Sequence, residues 1–337
     1  MNIIFQHDHT LSTGFKTPVC FDRLFIVDET TTSSEYQQHI APFTPRIIGG
    51  GTNYLFVCDR LESAITYQGS SIRIIQDNET NCLIRVEAGM NWHAFVIDML
   101  KKELFSLENL VLIPGTVGAA PVQNIGAYGM EVSESIRTVH CRDIRTGENI
   151  VFSQDECSFS YRDSIFKRHE YSHFLITHVD FELSKYQNPK ASYPDVSKYL
   201  SEQSISYPSS HDIAKAIIAI RSNKLPDPNT IGNAGSFFKN PIITINHYQE
   251  LTNSYPNLPS YPIDDTMVKV PAAWLIDTCG LKGYRHKGAG VHDKQALVLI
   301  NANKATGKDI HEISLIIQDK VYQIFGIHLE PEVNIIL

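Results

Sequence analysis

The stretch Ile113–Gly129 constrains this chain more than any other. It reads Ile-Pro-Gly-Thr-Val-Gly-Ala-Ala-Pro-Val-Gln-Asn-Ile-Gly-Ala-Tyr-Gly. Glycine and proline at this density defeat a helix, and seventeen residues are too many for one turn. What remains is a long ordered loop whose small residues let backbone N–H groups approach a ligand closely. A second glycine cluster, Gly49-Gly50-Gly51-Thr52-Asn53, follows a short β-branched run at Arg46–Ile48. Neither segment fits G-x-G-x-x-G or G-x-x-x-x-G-K-[ST], which disfavours a dinucleotide Rossmann site and a P-loop. Ordinary turns remain an alternative for the triplet taken alone.

The rest of the chain narrows the class. Its 337 residues suffice for two to three domains, and 42% apolar content supports real cores. The net charge of −8 argues against a nucleic-acid binder, which needs a basic face. Met1–Thr10 has no basic region leading into an apolar one, and no apolar run is long enough to span a bilayer. The six cysteines, at 20, 58, 82, 141, 157 and 279, form no C-x-x-C pair and suit reduced thiols in a cytoplasmic protein.

Periodicity places the elements. Ser33–Ile40 reads as a helix and Leu83–Glu87 as a strand. Asn91–Lys102 is an amphipathic helix with Trp92, Phe95, Val96, Met99 and Leu100 on one face. Strands are expected at Arg137–Asp143, Phe174–Leu183, Ala296–Asn301 and Leu329–Ile336. Helices are expected at Asp212–Ser222, after Pro271 up to Gly280, and at Lys308–Phe325 with Ile310, Ile313, Ile317, Val321 and Ile324 in step. Leu225-Pro226-Asp227-Pro228 reads as an interdomain link. Strands and helices interleave without regular βαβ spacing, so the fold class is α+β with several subdomains.

Three further segments carry chemistry. Arg162, in Phe159–Phe166, can hold a carboxylate in a bidentate pair or sit in a surface ion pair. Ser236, in Gly232–Pro241, stands on a tight glycine turn. It can present a hydroxyl as an acid or simply cap a helix, and the flanking Phe237 and Phe238 exclude the hydrolase elbow. His169-Glu170-Tyr171-Ser172-His173 fits H-E-x-x-H. That zinc signature needs a helix, whereas the aromatic and β-branched flank reads as a turn entering a strand, so no metal is expected.

Taken in order, six segments resemble the UDP-N-acetylenolpyruvoylglucosamine reductase family, of the flavin fold shared with vanillyl-alcohol oxidase. They are Gly49–Asn53, Ile113–Gly129, Tyr161–Ser164, Lys224–Pro228, Gly235–Asn240 and Leu329–Val333. The resemblance implies a two-part FAD-binding unit (residues 1–70 and 71–225) and an α+β substrate-binding domain (226–328), with residues 329–337 returning to the first part. It also implies non-covalent FAD, NADPH as co-substrate, and a UDP-sugar enolpyruvyl ether as substrate. In the implied reaction NADPH reduces the flavin, hydride passes to C3 of the enolpyruvyl group, and an acid protonates C2 to give UDP-N-acetylmuramate.

Carried onto this sequence, the resemblance makes Ser236 the proton donor and Arg162 and Glu332 the groups that stabilise the enolate. Glu330 and Glu332 share a face if their segment is a strand, and only the resemblance selects Glu332. Gly49, Gly50, Gly51, Thr52 and Asn53, with Pro114, Gly115, Val117, Gly118, Asn124, Ile125 and Gly126, would cradle FAD. Tyr128, Lys224, Asn240, Tyr261, Lys282 and Gln295 would surround the UDP-sugar. Tyr193 lies in an extra segment, Tyr193–Tyr199, that looks like the closing loop of the type I branch. One departure is Asn334, where the family usually has an arginine near the flavin. The expected protein is a cytoplasmic monomer with no nucleic-acid or membrane partner. The competing readings are a flavin oxidase or dehydrogenase of the same fold with another substrate, and a non-catalytic flavin or nucleotide binder. Neither gives a reason to keep Lys224, Ser236 and Glu332 together.

Overall fold

A computed structural model describes residues 4–337; residues 1–3, part of the Met1–Thr10 reading, lie outside it. The chain divides into two compact units. The first comprises the described residues of Met1–Thr10 with Cys20–Gly50 and Arg60–Asn223. The second comprises Leu11–Val19, Gly51–Asp59 and Lys224–Leu337.

The first unit holds two sheets. One runs in the order Ile4–Ser12, Pro18–Val27, Arg60–Tyr67, Arg46–Ile47, with Arg60–Tyr67 parallel to both Pro18–Val27 and Arg46–Ile47. The other is antiparallel, in the order Asn149–Ser153, Ile136–Asp143, Phe174–Ser184, Asn81–Glu87, Ile72–Asp77. The helix Trp92–Lys101 covers it, capped by the Asn91 side chain on the Ala94 N–H. Its buried face is the predicted one: Trp92, Phe95, Val96, Met99 and Leu100. Phe95 packs 5.1 Å from the Phe181 ring, and the Trp92 indole N–H donates to the Leu110 carbonyl at 2.8 Å. Burial of two such rings makes this face worth about 3–5 kcal/mol per aromatic if truncated to alanine.

The second unit builds its core on the sheet Gly232–Ser236, Val298–Asn301, Ala289–Val291, Arg285–His286 and the helix Gly307–Phe325. Thr306 and Asp309 form a capping box at the start of that helix, and Gly326 ends it in the left-handed region. A small sheet of Ile242–Thr244, Met267–Lys269 and Tyr261–Pro262 joins the same unit, as does the parallel pair Asn334–Ile336 and Tyr54–Phe56.

Three expectations need correcting. Ile324 is 40% exposed; Phe325, four residues after Val321, takes the buried position. Leu329–Val333 is not a continuous strand: its pairing is a single antiparallel bridge of Pro331 with Phe238, and a ladder forms only at Asn334–Ile336. The Tyr193 segment is not a loop: Pro194 at the first position starts a helix, Pro194–Glu202, that buries Val196 and Leu200.

Candidate functional site

In the first unit the glycine-rich segment is held by its backbone. The Trp92 N–H donates to the Gly115 carbonyl at 3.1 Å, Val117 N–H to Met90 at 2.8 Å, and Gly118 N–H to Ala88 at 2.9 Å. A Cβ at Gly118 would lie 2.5 Å from the Ala88 Cβ, and one at Gly49 would lie 3.2 Å from the Thr116 Oγ1. Gly49 therefore sits beside this segment. The Gly49 and Gly50 N–H groups find no acceptor among the described residues. Free backbone donors beside a wall too close for side chains fit a phosphate-bearing cofactor such as FAD.

The turn carrying Arg162 is tied to the same segment. Asn124, fully buried with φ +45°, donates from Nδ2 to Glu131 Oε2 at 2.7 Å and to the Ser160 carbonyl at 3.1 Å, and accepts from the Ser133 N–H at 3.0 Å. Ser164 donates to the Val122 carbonyl at 2.6 Å. Arg162 itself has φ +55°, and its Nη2 donates to the Gly126 carbonyl at 2.6 Å. A Cβ at Gly126 would lie 2.9 Å from Arg162 Nη1, so glycine is needed for that approach. Tyr128 follows, also at positive φ (+51°), with its ring edge-on to the Tyr193 ring at 5.2 Å. Three non-glycine residues in the left-handed region within one small cluster store strain of the kind found at functional sites.

Sequence reasoning missed Arg221. It lies on the helix Ser210–Lys224, four residues after buried Ile217. Burial lowers the pKa of its guanidinium, the Tyr128 hydroxyl counteracts this, and Arg162 lowers it further. Its buried Nε has no hydrogen-bond partner among the described residues. Burial correspondingly raises the Tyr128 phenol. The Arg162 and Arg221 cations are thus electrostatically coupled beside a phenol, an arrangement suited to an anion. A cation at a core position of a helix was the available signal.

In the second unit Ser236 ends the strand Gly232–Ser236 opposite Val298. Gly235 has φ +72° with nothing within 4 Å of its would-be Cβ, and its N–H donates to Asn233 Oδ1 at 3.0 Å. The turn faces Ser236 outward while Phe237 and Phe238 are buried, their rings 5.0 Å apart. Ser236 caps no helix, which removes that alternative. The Glu332 N–H donates to the Phe237 carbonyl at 2.7 Å, so the backbone of Glu332 lies beside that of Ser236. The Glu330 carboxylate takes the Lys239 ammonium at 2.5 Å. Asn53 donates from Nδ2 to the Glu332 carbonyl at 3.3 Å. Asn334 binds the Asn53 carbonyl twice, through its N–H at 3.0 Å and its Nδ2 at 3.2 Å.

The remaining candidates are spread over separate elements. The Asn240 Oδ1 accepts from the Ala272 N–H at 3.0 Å and so starts the helix Ala272–Thr278. Tyr261 is exposed on a two-residue strand, Lys282 pairs with Asp277 at 3.0 Å, and Gln295 precedes the strand Val298–Asn301. Lys224 ends its helix at the division between the units. His169–Tyr171 is a single 3-10 turn followed by the strand Phe174–Ser184, so His169 and His173 never share a helical face. All six cysteines are free thiols. Among the described residues no helix is long and apolar enough to cross a membrane.

Comparisons with known proteins place the chain in a family. Residues 227–336 match the model for the C-terminal domain of UDP-N-acetylenolpyruvoylglucosamine reductase, and residues 35–152 match an FAD binding domain. The chain is 44% identical over 286 residues to the UDP-N-acetylenolpyruvoylglucosamine reductase of Chromobacterium violaceum, covering 85% of this chain and 84% of that one. It is 45% identical over 289 residues to the protein of the same name from Pseudomonas syringae pv. syringae, covering 86% and 85%. A crystal structure of the reductase from Thermus caldophilus superposes with a TM-score of 0.68 at 21% identity, covering 99% of this chain and 100% of that one, which shows a shared fold.

Proposed function

This chain belongs to the UDP-N-acetylenolpyruvoylglucosamine reductase family, and on that premise we propose how its own residues divide the work. It is an FAD-dependent oxidoreductase of peptidoglycan precursor synthesis, reducing the UDP-sugar enolpyruvyl ether to UDP-N-acetylmuramate with NADPH. Bound FAD supplies the hydride relay. In our assignment Gly49–Asn53 and Pro114–Gly126 hold it, the first two parts (1–70 and 71–225) form its domain, and 226–328 receive the sugar nucleotide.

Hydride addition at C3 leaves negative charge delocalised from C2 onto the substrate carboxylate. Arg162 supplies a fixed positive charge for it, and we assign Glu332 to the same enolate, where its carboxyl is a donor only when it carries a proton. Arg221, coupled to Arg162, adds a second cation for the same anionic group. Ser236 gives its hydroxyl proton to C2 on one face. Tyr128, Tyr193, Lys224, Asn240, Tyr261, Lys282 and Gln295 bind the UDP-sugar. The observation that carries this reading is the Gly235 turn: it faces Ser236 outward, anchors itself with two buried phenylalanines, and runs beside Glu332. The free thiols and the net charge of −8 support a cytoplasmic protein with no nucleic-acid partner, and we assign it as a monomer, which light scattering tests.

Ser236→Ala tests the assignment. FAD binding and NADPH-driven flavin reduction stay near normal. Reoxidation of the reduced flavin by the enolpyruvyl sugar slows by at least ~10²–10⁴-fold, roughly 3–5 kcal/mol of barrier. Stopped-flow absorbance separates the two half-reactions. Reoxidation as fast as the parent's would make Ser236 structural and move the acid elsewhere.

A further inference from the structure

Within the first unit, one residue along from the Ala88 that packs on Gly118, three potential metal ligands converge: one carboxylate oxygen each of Glu29 and Glu87 and a ring nitrogen of His178, all within 4.8 Å of one another. They come from different parts of the unit. Glu29 follows the strand Pro18–Val27 of the four-stranded sheet, while Glu87 and His178 are register partners on adjacent strands of the five-stranded sheet.

Two of the three are set by surrounding contacts. Glu87, only 5% exposed, accepts the Tyr67 hydroxyl at 2.8 Å on Oε1 and the Ser71 N–H at 2.7 Å on Oε2. Gly69 adds a wall, since a Cβ there would lie 2.1 Å from that Oε1. The Thr177 hydroxyl spends its single proton on the His140 carbonyl at 3.2 Å, so its 3.1 Å contact with His178 Nδ1 requires Nδ1–H to be the donor. The neutral ring then keeps its lone pair on Nε2. A ligating histidine whose other nitrogen is committed to a hydrogen bond, beside a carboxylate oriented by donors of its own, is how metal sites fix their ligands.

We propose that Glu29, Glu87 and His178 bind one divalent transition cation, of the zinc type, with water completing the shell. One imidazole and two carboxylates suit such an ion. The cation staples the two sheets of the first unit together and takes no part in hydride or proton transfer. Glu29 is the adjustable ligand: it is exposed and, among the described residues, held by Arg73 Nη2 at 2.5 Å, which it exchanges for the metal.

Tag-free holoenzyme, stripped with chelator and dialysed, is titrated with cobalt(II) alone, followed by visible d–d absorption and calorimetry. One equivalent binds, with a rise in Tm of about 5 °C at saturating metal. Glu29→Gln and His178→Gln each weaken binding by at least ~30-fold and abolish the Tm rise. Glu29 is exposed, so its variant folds and keeps the test valid if the His178 variant does not. Failure to bind below about 1 mM overturns the proposal, as does binding that Glu29→Gln leaves unchanged, which would place the ion on other surface histidines. FAD content and turnover are separate readouts, so a failure here leaves the flavin assignment standing.

Discussion

Replacing Gly118 with alanine adds a methyl carbon 2.5 Å from the Ala88 Cβ and 3.2 Å from the Ala88 Cα and carbonyl oxygen. Carbon atoms rest at about 3.5–4.0 Å, so roughly 1 Å of separation must be found. Neither backbone is free to give it. The Ala88 N–H is bonded to the Thr177 carbonyl at 2.8 Å, and the Ala88 carbonyl accepts from Gly118 itself at 2.9 Å. Overpacking of a well-packed site costs about 1–3 kcal/mol, and with both segments pinned we expect the upper end, a fall in Tm of roughly 5 °C or more. Because the segment is the one assigned to FAD, flavin retention on gel filtration falls in parallel. The obstacle is mostly one methyl group, so Ala88→Gly in the same chain restores about 2 kcal/mol, a coupling measurable in a double-mutant cycle. Gly129→Ala is the control: φ is +79° but nothing lies within 4 Å, so only the left-handed penalty of about 1–2 kcal/mol applies. A Gly118→Ala protein with parental Tm and flavin content, or one that Ala88→Gly does not rescue, refutes the argument.

Tyr193→Ala removes the ring that packs on Tyr128 and raises the apparent KM for the UDP-sugar while the NADPH–flavin step changes little; an unchanged KM in steady-state assays removes Tyr193 from the sugar site. Asn334→Arg breaks the side-chain bond to the Asn53 carbonyl and adds a cation beside the glycine cluster, so FAD retention or flavin potential shifts, as equilibrium dialysis and redox titration will read. Asp180 titrates with the fold. Burial raises its pKa, but hydrogen bonds from Arg85, His140 and Thr138 outweigh this and hold the carboxyl well below the usual range. A depressed folded pKa means the contribution is complete above the unfolded pKa of about 3.9 and is lost as pH falls below it. Asp180→Asn therefore lowers stability by about 2 kcal/mol near neutral pH, and the gap to the parent narrows in urea melts below about pH 4.

Sequence patterns were most informative where one local rule acted alone. The Asn91–Lys102 periodicity gave the buried face of its helix residue by residue, because a helix covering a sheet obeys its 3.6-residue repeat. The Gly235–Ser236 turn was legible because only glycine takes φ +72° without strain. Tertiary context decided the rest. Leu329–Val333 carries strand-like residues, yet only Pro331 pairs, in one bridge with Phe238, because that neighbouring segment offers no longer edge. Arg221 escaped notice because its meaning comes from Tyr128 and Arg162, which are distant in sequence. The Glu29–Glu87–His178 cluster was invisible for the same reason, since cross-strand register alone brings two of its members together.

The parallel pair Asn334–Ile336 and Tyr54–Phe56 has a consequence for how the chain is made. Asn334 and Asn53 are bonded although they stand 281 positions apart. On a ribosome delivering about 5–20 residues each second, the Tyr54–Phe56 edge waits many seconds for its neighbour to emerge. The first unit has all its residues by Asn223, whereas Leu11–Val19 and Gly51–Asp59 are synthesised early and belong to a body finished last. During that interval a strand edge with buried Leu55 and Phe56 stands open to other nascent chains, so this protein's exposure to aggregation is set by translation speed through its final third.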